Sequence, residues 1–245
     1  MSPDRTLVDK NLNIAIFNLF MRKPIQQQHT LRFPSGWGGR REGAGRKPSP
    51  DSGMPHLSRE RFASRHPCHV TFRVRDDVPS LRAVRFVREF ERSLRQIRSR
   101  PGCRVVHYSI QGNHVHMLVE AAGPDALGCG MKSVGARLAR AVNRVFRRRG
   151  PVLSDRYHFR ALKTPREVRN ALAYVLLNAR RHAGRRAGKL GAVDPASSGR
   201  WFEGWRRSIG PARDAPAVAG AHTWLLRKGW RRHGRIGLDE IPARP

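Results

Sequence analysis

Hydrophobic and polar residues alternate along residues 68–75, CHVTFRVR, where polar side chains separate Val70, Phe72 and Val74. A period of two is typical of a strand with one buried face. Two further apolar runs, CRVVHYSIQ (103–111) and HVHMLVE (114–120), are joined by the turn-forming dipeptide Gly112-Asn113. These runs predict a hairpin, and RYHFRALK (156–163) predicts a fourth strand.

Three other segments carry apolar residues at helical spacing, at about 80–100, 125–148 and 164–184. The last begins with a capping box, in which Thr164 is followed by Pro165 and then by Glu167. The resulting order is β-α-β-β-α-β-α. It predicts an α+β fold, a ferredoxin-like β-α-β-β-α-β sheet with one added C-terminal helix.

Composition divides the chain into three parts. Residues 33–55 are rich in Gly, Pro and Arg, so we expect residues 1–63 to be a disordered basic arm. Residues 64–185 form the predicted folded domain, and residues 186–245 form a tail with four of the five tryptophans. We expect these tryptophans to pack on the domain, with stacking on nucleic-acid bases as the alternative. The apolar stretch 12–21 is too short to span a membrane, and no signal peptide is expected.

The formal net charge of +31 adds evidence on the kind of partner that the chain binds. A surface so basic favours a polyanionic partner, and nucleic acid is preferred over a membrane surface. A GC-rich genome would also raise the arginine content without any binding role. The three cysteines are widely spaced, which argues against a disulfide framework and for a reducing compartment.

Two histidines lie within the third apolar run. His114 and His116 are two residues apart on the predicted strand, so their side chains project from the same face. Neighbouring imidazoles form half of a metal site. A pair of structural histidines in a strand fits the same spacing, and the pair alone leaves both interpretations open.

The last predicted helix carries a polar stripe. Asn170, Tyr174 and Asn178 recur every four residues and share one side of the helix. If this helix packs across the sheet, Asn178 would offer a carbonyl oxygen as a third ligand, and Tyr174 would be a nucleophile. The structural alternative is a half-buried helix tyrosine.

Several motifs resemble those of known families. GNHVHMLVE (112–120) resembles the His-hydrophobic-His motif of HUH single-strand nucleases, and LAYVLLNARRH (172–182) resembles their single-tyrosine helix. The chain from about residue 38 to 184 is similar to REP-associated tyrosine transposases in three further segments: GGRREGAGRKP, DRYHFRAL and TPREVRNALAYVLLN.

The resemblance implies an HUH nuclease fold in which the added helix carries the nucleophile, Tyr174. It implies His114, His116 and Asn178 as ligands of Mg²⁺ or Mn²⁺, although some relatives carry Gln where this chain has Asn178. The implied activity is that of a transposase: cleavage and strand transfer of single-stranded hairpin DNA, of the repetitive extragenic palindrome kind, through a 5′-phosphotyrosine intermediate.

Basic residues near this site are predicted DNA contacts. On the predicted fourth strand they alternate on one face, and others lie on the last helix and in the arm: Arg156, Arg160, Lys163, Arg180, Arg181, Arg40, Arg41 and Arg46. We expect a cytoplasmic, nucleoid-associated bacterial protein with no membrane partner. A homodimer and a monomer both fit the sequence.

Two rival functions stay open. The first is a domesticated, non-catalytic DNA-binding protein or repressor of the same fold. The second is another metal-dependent phosphohydrolase, but a histidine-triad hydrolase would need a third alternating histidine where Leu118 stands. Tyr157 is not expected to be the nucleophile, because no amide lies one helical turn from it. His107 and His158 are interpreted as packing residues or DNA contacts.

Overall fold

The computed structural model describes residues 60–183 and 193–242, with only the backbone described at 181–183. These residues form a mixed α/β structure around a four-stranded sheet. The strands are β1 (Cys68–Arg73), β2 (Cys103–Ile110), β3 (His114–Ala121) and β4 (His158–Ala161). Their order across the sheet is β2-β3-β1-β4, and all three pairings are antiparallel. The predicted α+β class is confirmed.

Three long helices follow the strands in the chain order that the sequence predicts. They are α1 (Val84–Arg95), α2 (Pro124–Val145) and α3 (Pro165–Ala183). The tail adds the short helix α4 (Trp224–Arg227) and two 3-10 turns, Ser198–Trp201 and Gly229–His233. No helix within the described ranges is long and apolar enough to span a membrane.

The alternation within the strands divides the apolar residues between two cores. On one face of the sheet, Phe72 and Met117 pack with α1 and α2 residues such as Phe90 and Leu138. On the other face, residues from the strands, α3 and the tail form a second core, which includes Val106, Leu118, Leu172, Leu176, Trp205 and Trp230. The tail therefore packs on the domain through buried Trp205 and Trp230, as the docking interpretation predicts, and Trp201 is partly buried. Trp224 is 49% exposed, so the expectation is wrong for this residue.

The first helix and the fourth strand are the elements that fall furthest short of their predicted lengths. The first helix begins at Val84, because the amide of Leu81 donates to the carbonyl of Gly112 and is held at the β2–β3 turn. The fourth strand ends at Ala161, because the amide of Lys163 donates to the Glu167 carboxylate and belongs to the cap of α3.

Candidate functional site

Strand β3 presents the histidine pair to the face that α3 covers. The rings of His114 and His116 lie 4.7 Å apart, centroid to centroid, at 80°. His114 Nδ1 is 2.8 Å from the side-chain oxygen of Asn113, and His116 is 6% exposed. The alternation of the strand produces this arrangement, because Val115 and Met117 point into the opposite core.

Helix α3 brings Tyr174 to this pair. The Tyr174 ring lies 5.0 Å from the His116 ring, and its phenol oxygen is 3.5 Å from His116 Nε2. The polar stripe of the helix runs inward along its length, since Asn170 is exposed, Tyr174 is half-buried and Asn178 is fully buried. The structure thus places the Tyr174 phenol beside the His116 imidazole. The sequence predicted this proximity only on the condition that the last helix packs across the sheet.

Strand β1 contributes two residues that the sequence did not single out. Thr71 pairs with His116 in the sheet, and its hydroxyl oxygen is 3.0 Å from His116 Nδ1. His69 Nε2 is 3.2 Å from the same nitrogen. Burial, together with the nearby charge of Arg160, lowers the pKa of His69 to about 4, so this imidazole is neutral at neutral pH. Both groups can accept a hydrogen bond from His116 Nδ1–H, which would turn the Nε2 lone pair toward Tyr174.

The sequence contained a partial signal for these two residues. The alternation of CHVTFR already places His69 and Thr71 on the polar side of their strand. This alternation does not show which strand lies beside β1. The register of β1 against β3 places Thr71 opposite His116.

Asn178 is the third predicted metal ligand and lies one turn after Tyr174. Its side chain is 0% exposed, and neither its amide nitrogen nor its amide oxygen has a hydrogen-bond partner among the described residues. A buried amide without a protein partner is costly, and an ion or a water molecule commonly satisfies such a group. This observation fits a metal ligand, and two imidazole nitrogens with one amide oxygen form a donor set suited to a divalent ion.

Another kind of metal site is absent from the part of the chain that the structure describes. No group of three or more His, Cys, Asp or Glu side chains there is placed to hold a metal ion. The donor set of His114, His116 and Asn178 contains only two residues of these types, so it stays a prediction.

The predicted phosphate contacts do not share one strand face. Only Arg160 lies within β4, so the predicted alternation of Arg156, Arg160 and Lys163 is wrong. Arg160 forms an ion pair of 2.7 Å with Glu167, and Lys163 forms one of 3.0 Å with Glu60. Arg156 is exposed beyond the strand.

The remaining predicted contacts are only partly visible. Arg180 is half-buried on α3. The side chain of Arg181 and the arm residues Arg40, Arg41 and Arg46 lie outside the described residues. Their proposed role in DNA binding stays a prediction.

Tyr157 lies away from the histidine pair. Its ring packs 5.6 Å from Phe72 and 6.5 Å from Phe159, against the core that α1 and α2 cover. Phe72 pairs with Val115, and both side chains point away from His116. Tyr174 is therefore the tyrosine that the fold brings to the site.

Comparisons with known proteins add a similarity among solved structures. No protein-family model matches the chain, and no curated protein matches it. Among solved structures, the chain is similar to a REP-associated tyrosine transposase bound to a REP hairpin, with a TM-score of 0.45 and 13% sequence identity. The similarity covers 59% of this chain and 82% of that one. A similarity at this level decides neither fold nor activity.

Proposed function

We propose that the chain is a metal-dependent, single-strand DNA endonuclease and strand-transferase of the HUH single-tyrosine kind. In this proposal the strand order is the ferredoxin-like one, with α3 as the added tyrosine helix. The substrate is hairpin DNA with a flanking single strand, and the protein acts on DNA in the bacterial cytoplasm. One observation carries the proposal: the Tyr174 phenol lies 3.5 Å from His116 Nε2, one helical turn before the buried amide of Asn178, which has no hydrogen-bond partner among the described residues.

The nucleophile in this proposal is the Tyr174 oxygen. It attacks the scissile phosphorus, a P–O bond to the tyrosine forms, and the bond from phosphorus to the 3′-oxygen breaks. The half-buried phenol loses its proton to solvent, and the leaving 3′-oxygen takes up a proton from water. The product is a 5′-phosphotyrosine on the downstream fragment and a free 3′-hydroxyl on the upstream fragment, and attack by a 3′-hydroxyl reverses the step.

His114, His116 and Asn178 would hold the cofactor. A bound Mg²⁺ or Mn²⁺ supplies charge neutralisation at the scissile phosphate. Thr71 and His69 orient the His116 ring from behind, through the contacts of 3.0 Å and 3.2 Å to Nδ1. The packing of α3 on the sheet holds the phenol beside that ring.

A labelled-strand assay tests this function. Wild type is incubated with a 5′-labelled and a 3′-labelled single-stranded hairpin, with Mn²⁺ or with chelator, and covalent adducts are resolved on a denaturing gel. We expect an adduct only with the 3′ label and only with the metal. Tyr174→Phe should lose the adduct and keep hairpin binding, because the phenyl ring retains the packing.

Tyr157→Phe is the matched control, since it removes a phenol from the opposite side of the sheet, and it should form the adduct at the wild-type rate. Adduct formation by Tyr174→Phe would exclude this nucleophile. Tight hairpin binding by wild type without any adduct would instead indicate a non-catalytic DNA-binding protein.

A further inference from the structure

A cavity of about 910 Å³ opens where the outer edge of β2 meets the tail. Its walls come from the α1–β2 connection, from β2 and from tail residues between 201 and 231. This volume lies within the range typical of ligand-binding pockets. Neither Tyr174 nor the histidine pair lines it, so the chemistry proposed above makes no use of it.

The charge of the cavity wall is strongly one-sided. Glu203 is the single acidic residue among those that line it. Five arginines line it: Arg98, Arg100, Arg104, Arg227 and Arg231. A concave wall with this balance attracts an anion, because clefts lined by one sign of charge concentrate the field.

Two of these arginines are available for a ligand. Arg100 and Arg227 are exposed, and neither guanidinium group has a hydrogen bond or ion pair with another described residue, although both backbone amides are bonded. The other three have partners within the protein, and Arg231 lies over the Trp230 ring at 5.4 Å. Arg98 donates to the carbonyl of Pro216 at 3.0 Å, and Arg104 approaches the Glu120 carboxylate at 4.0 Å.

Aromatic rings form another part of the wall. Trp201, Phe202 and the His107 imidazole line the cavity, and Phe202 packs edge-on against His107 at 5.3 Å. Trp201 is fixed by its Nε1–H, which donates to the carbonyl of Asp214 at 3.1 Å. Phe202 is only 7% exposed, so the half-buried Trp201 is the more accessible ring, and the Arg200 guanidinium lies over it at 3.8 Å. An aromatic ring beside exposed guanidinium groups matches the two chemical parts of a nucleic-acid strand, since bases stack on rings and phosphates pair with arginine.

We propose that this cavity binds a segment of single-stranded DNA, with phosphates at Arg100 and Arg227 and a base against Trp201. The segment is the strand that flanks the hairpin, and this last assignment rests on the function proposed above.

Fluorescence anisotropy with labelled oligothymidine tests the proposal on the full chain. The double variant Arg100→Ala/Arg227→Ala should bind the oligonucleotide about ten-fold more weakly. Its log–log slope of affinity against salt should be shallower by about 1.4, the release expected for two phosphate contacts on a single strand. The matched control is Arg88→Ala/Arg140→Ala, which removes two exposed charges from α1 and α2 on the opposite face and should change neither value.

Three outcomes decide the matter. Unchanged oligothymidine binding in the cavity variant would overturn the proposal. An equal loss in the cavity variant and in the control would overturn it as well, because the effect would then be one of total charge. A loss for duplex DNA as large as that for the single strand would show a general polyanion surface instead.

The adduct assay separates this inference from the proposed function. Selective loss of single-strand binding in the cavity variant, with no adduct from wild type, would retain the cavity and remove the nuclease. A wild-type adduct together with undiminished strand binding in the cavity variant would retain the nuclease and exclude the cavity as a DNA site.

Discussion

His116 is contacted from two sides, by β1 residues at Nδ1 and by the Tyr174 phenol at Nε2. A neutral imidazole has one donor and one acceptor nitrogen, so the partner of Nδ1 decides what Nε2 can do. Thr71 is the nearer partner, at 3.0 Å. The threonine hydroxyl is therefore expected to favour the His116 tautomer with the proton on Nδ1. In that tautomer the Nε2 lone pair is available to a metal or to a proton of the substrate.

Substitution of Thr71 tests this role. Thr71→Val removes the hydroxyl and should weaken Mn²⁺ binding, measured by titration calorimetry, by about ten-fold, as is common for residues that orient a ligand. In the metal-free protein the ¹⁵N shifts of His116 should move toward a mixture of tautomers. Thr71→Ser keeps the hydroxyl and should retain both properties. Wild-type affinity and shifts in Thr71→Val would assign the orientation of the ring to His69 alone.

At the scale of elements, α3 is the helix on which the site depends. Its capping box is confirmed: the amide of Glu167 donates to the Thr164 hydroxyl at 3.2 Å, and the amide of Thr164 donates to the Glu167 carboxylate at 3.0 Å. Two amides that the helix itself cannot satisfy thereby gain partners. The same carboxylate pairs with Arg160 of β4, so the cap also joins the helix to the sheet.

Loss of this cap should lower stability by a measurable amount. Thr164→Ala is expected to reduce the free energy of unfolding by about 1 kcal/mol, the usual cost of a lost N-cap. Urea denaturation followed by circular dichroism measures the change, and Thr164→Ser serves as the control that retains the cap. A midpoint unchanged in Thr164→Ala would mean that tertiary packing alone holds the start of α3.

Element order was predictable because it depends on local periodicity. The alternation in CHVTFR and the helical spacing in 164–184 are properties of adjacent residues, and the structure has a strand and a helix there. Element ends were less predictable. Contacts from distant residues, such as the bond from Leu81 to Gly112, decide where a helix begins.

At the scale of the whole molecule, polar contacts bind the tail to the domain. Arg200 of the tail donates to buried Glu91 of α1 at 2.8 Å and to Asp214 at 3.1 Å. Glu91 also accepts the phenol proton of Tyr108. The hydrogen bond from Arg200 is the main cause that holds the pKa of Asp214 below its usual value.

On the other face of the sheet, the Glu120 carboxylate of β3 accepts hydrogen bonds from the amides of His222 and Thr223, just before α4.

Removal of the arginine from this network should destabilise the fold. Arg200→Met leaves the Glu91 carboxylate buried without its closest cation, and we expect a loss of about 3 kcal/mol in unfolding free energy. Thermal and urea denaturation measure it, with Arg88→Met on the exposed side of α1 as the control. Glu91→Gln added to Arg200→Met should recover part of the loss. No recovery would mean that the packing of the arginine, not its charge, is what matters.

Local pattern determined the element order, the polar face that carries His114 and His116, and the Tyr174–Asn178 stripe, because each follows from the period of its own segment. Tertiary structure decided the rest. The register of β1 against β3 placed Thr71 and His69 behind His116. The return of the tail to the edge of β2 brought Arg227 into one cavity with Arg100. Such contacts join residues far apart in sequence, and they depend on how two apolar faces pack rather than on the period of either segment.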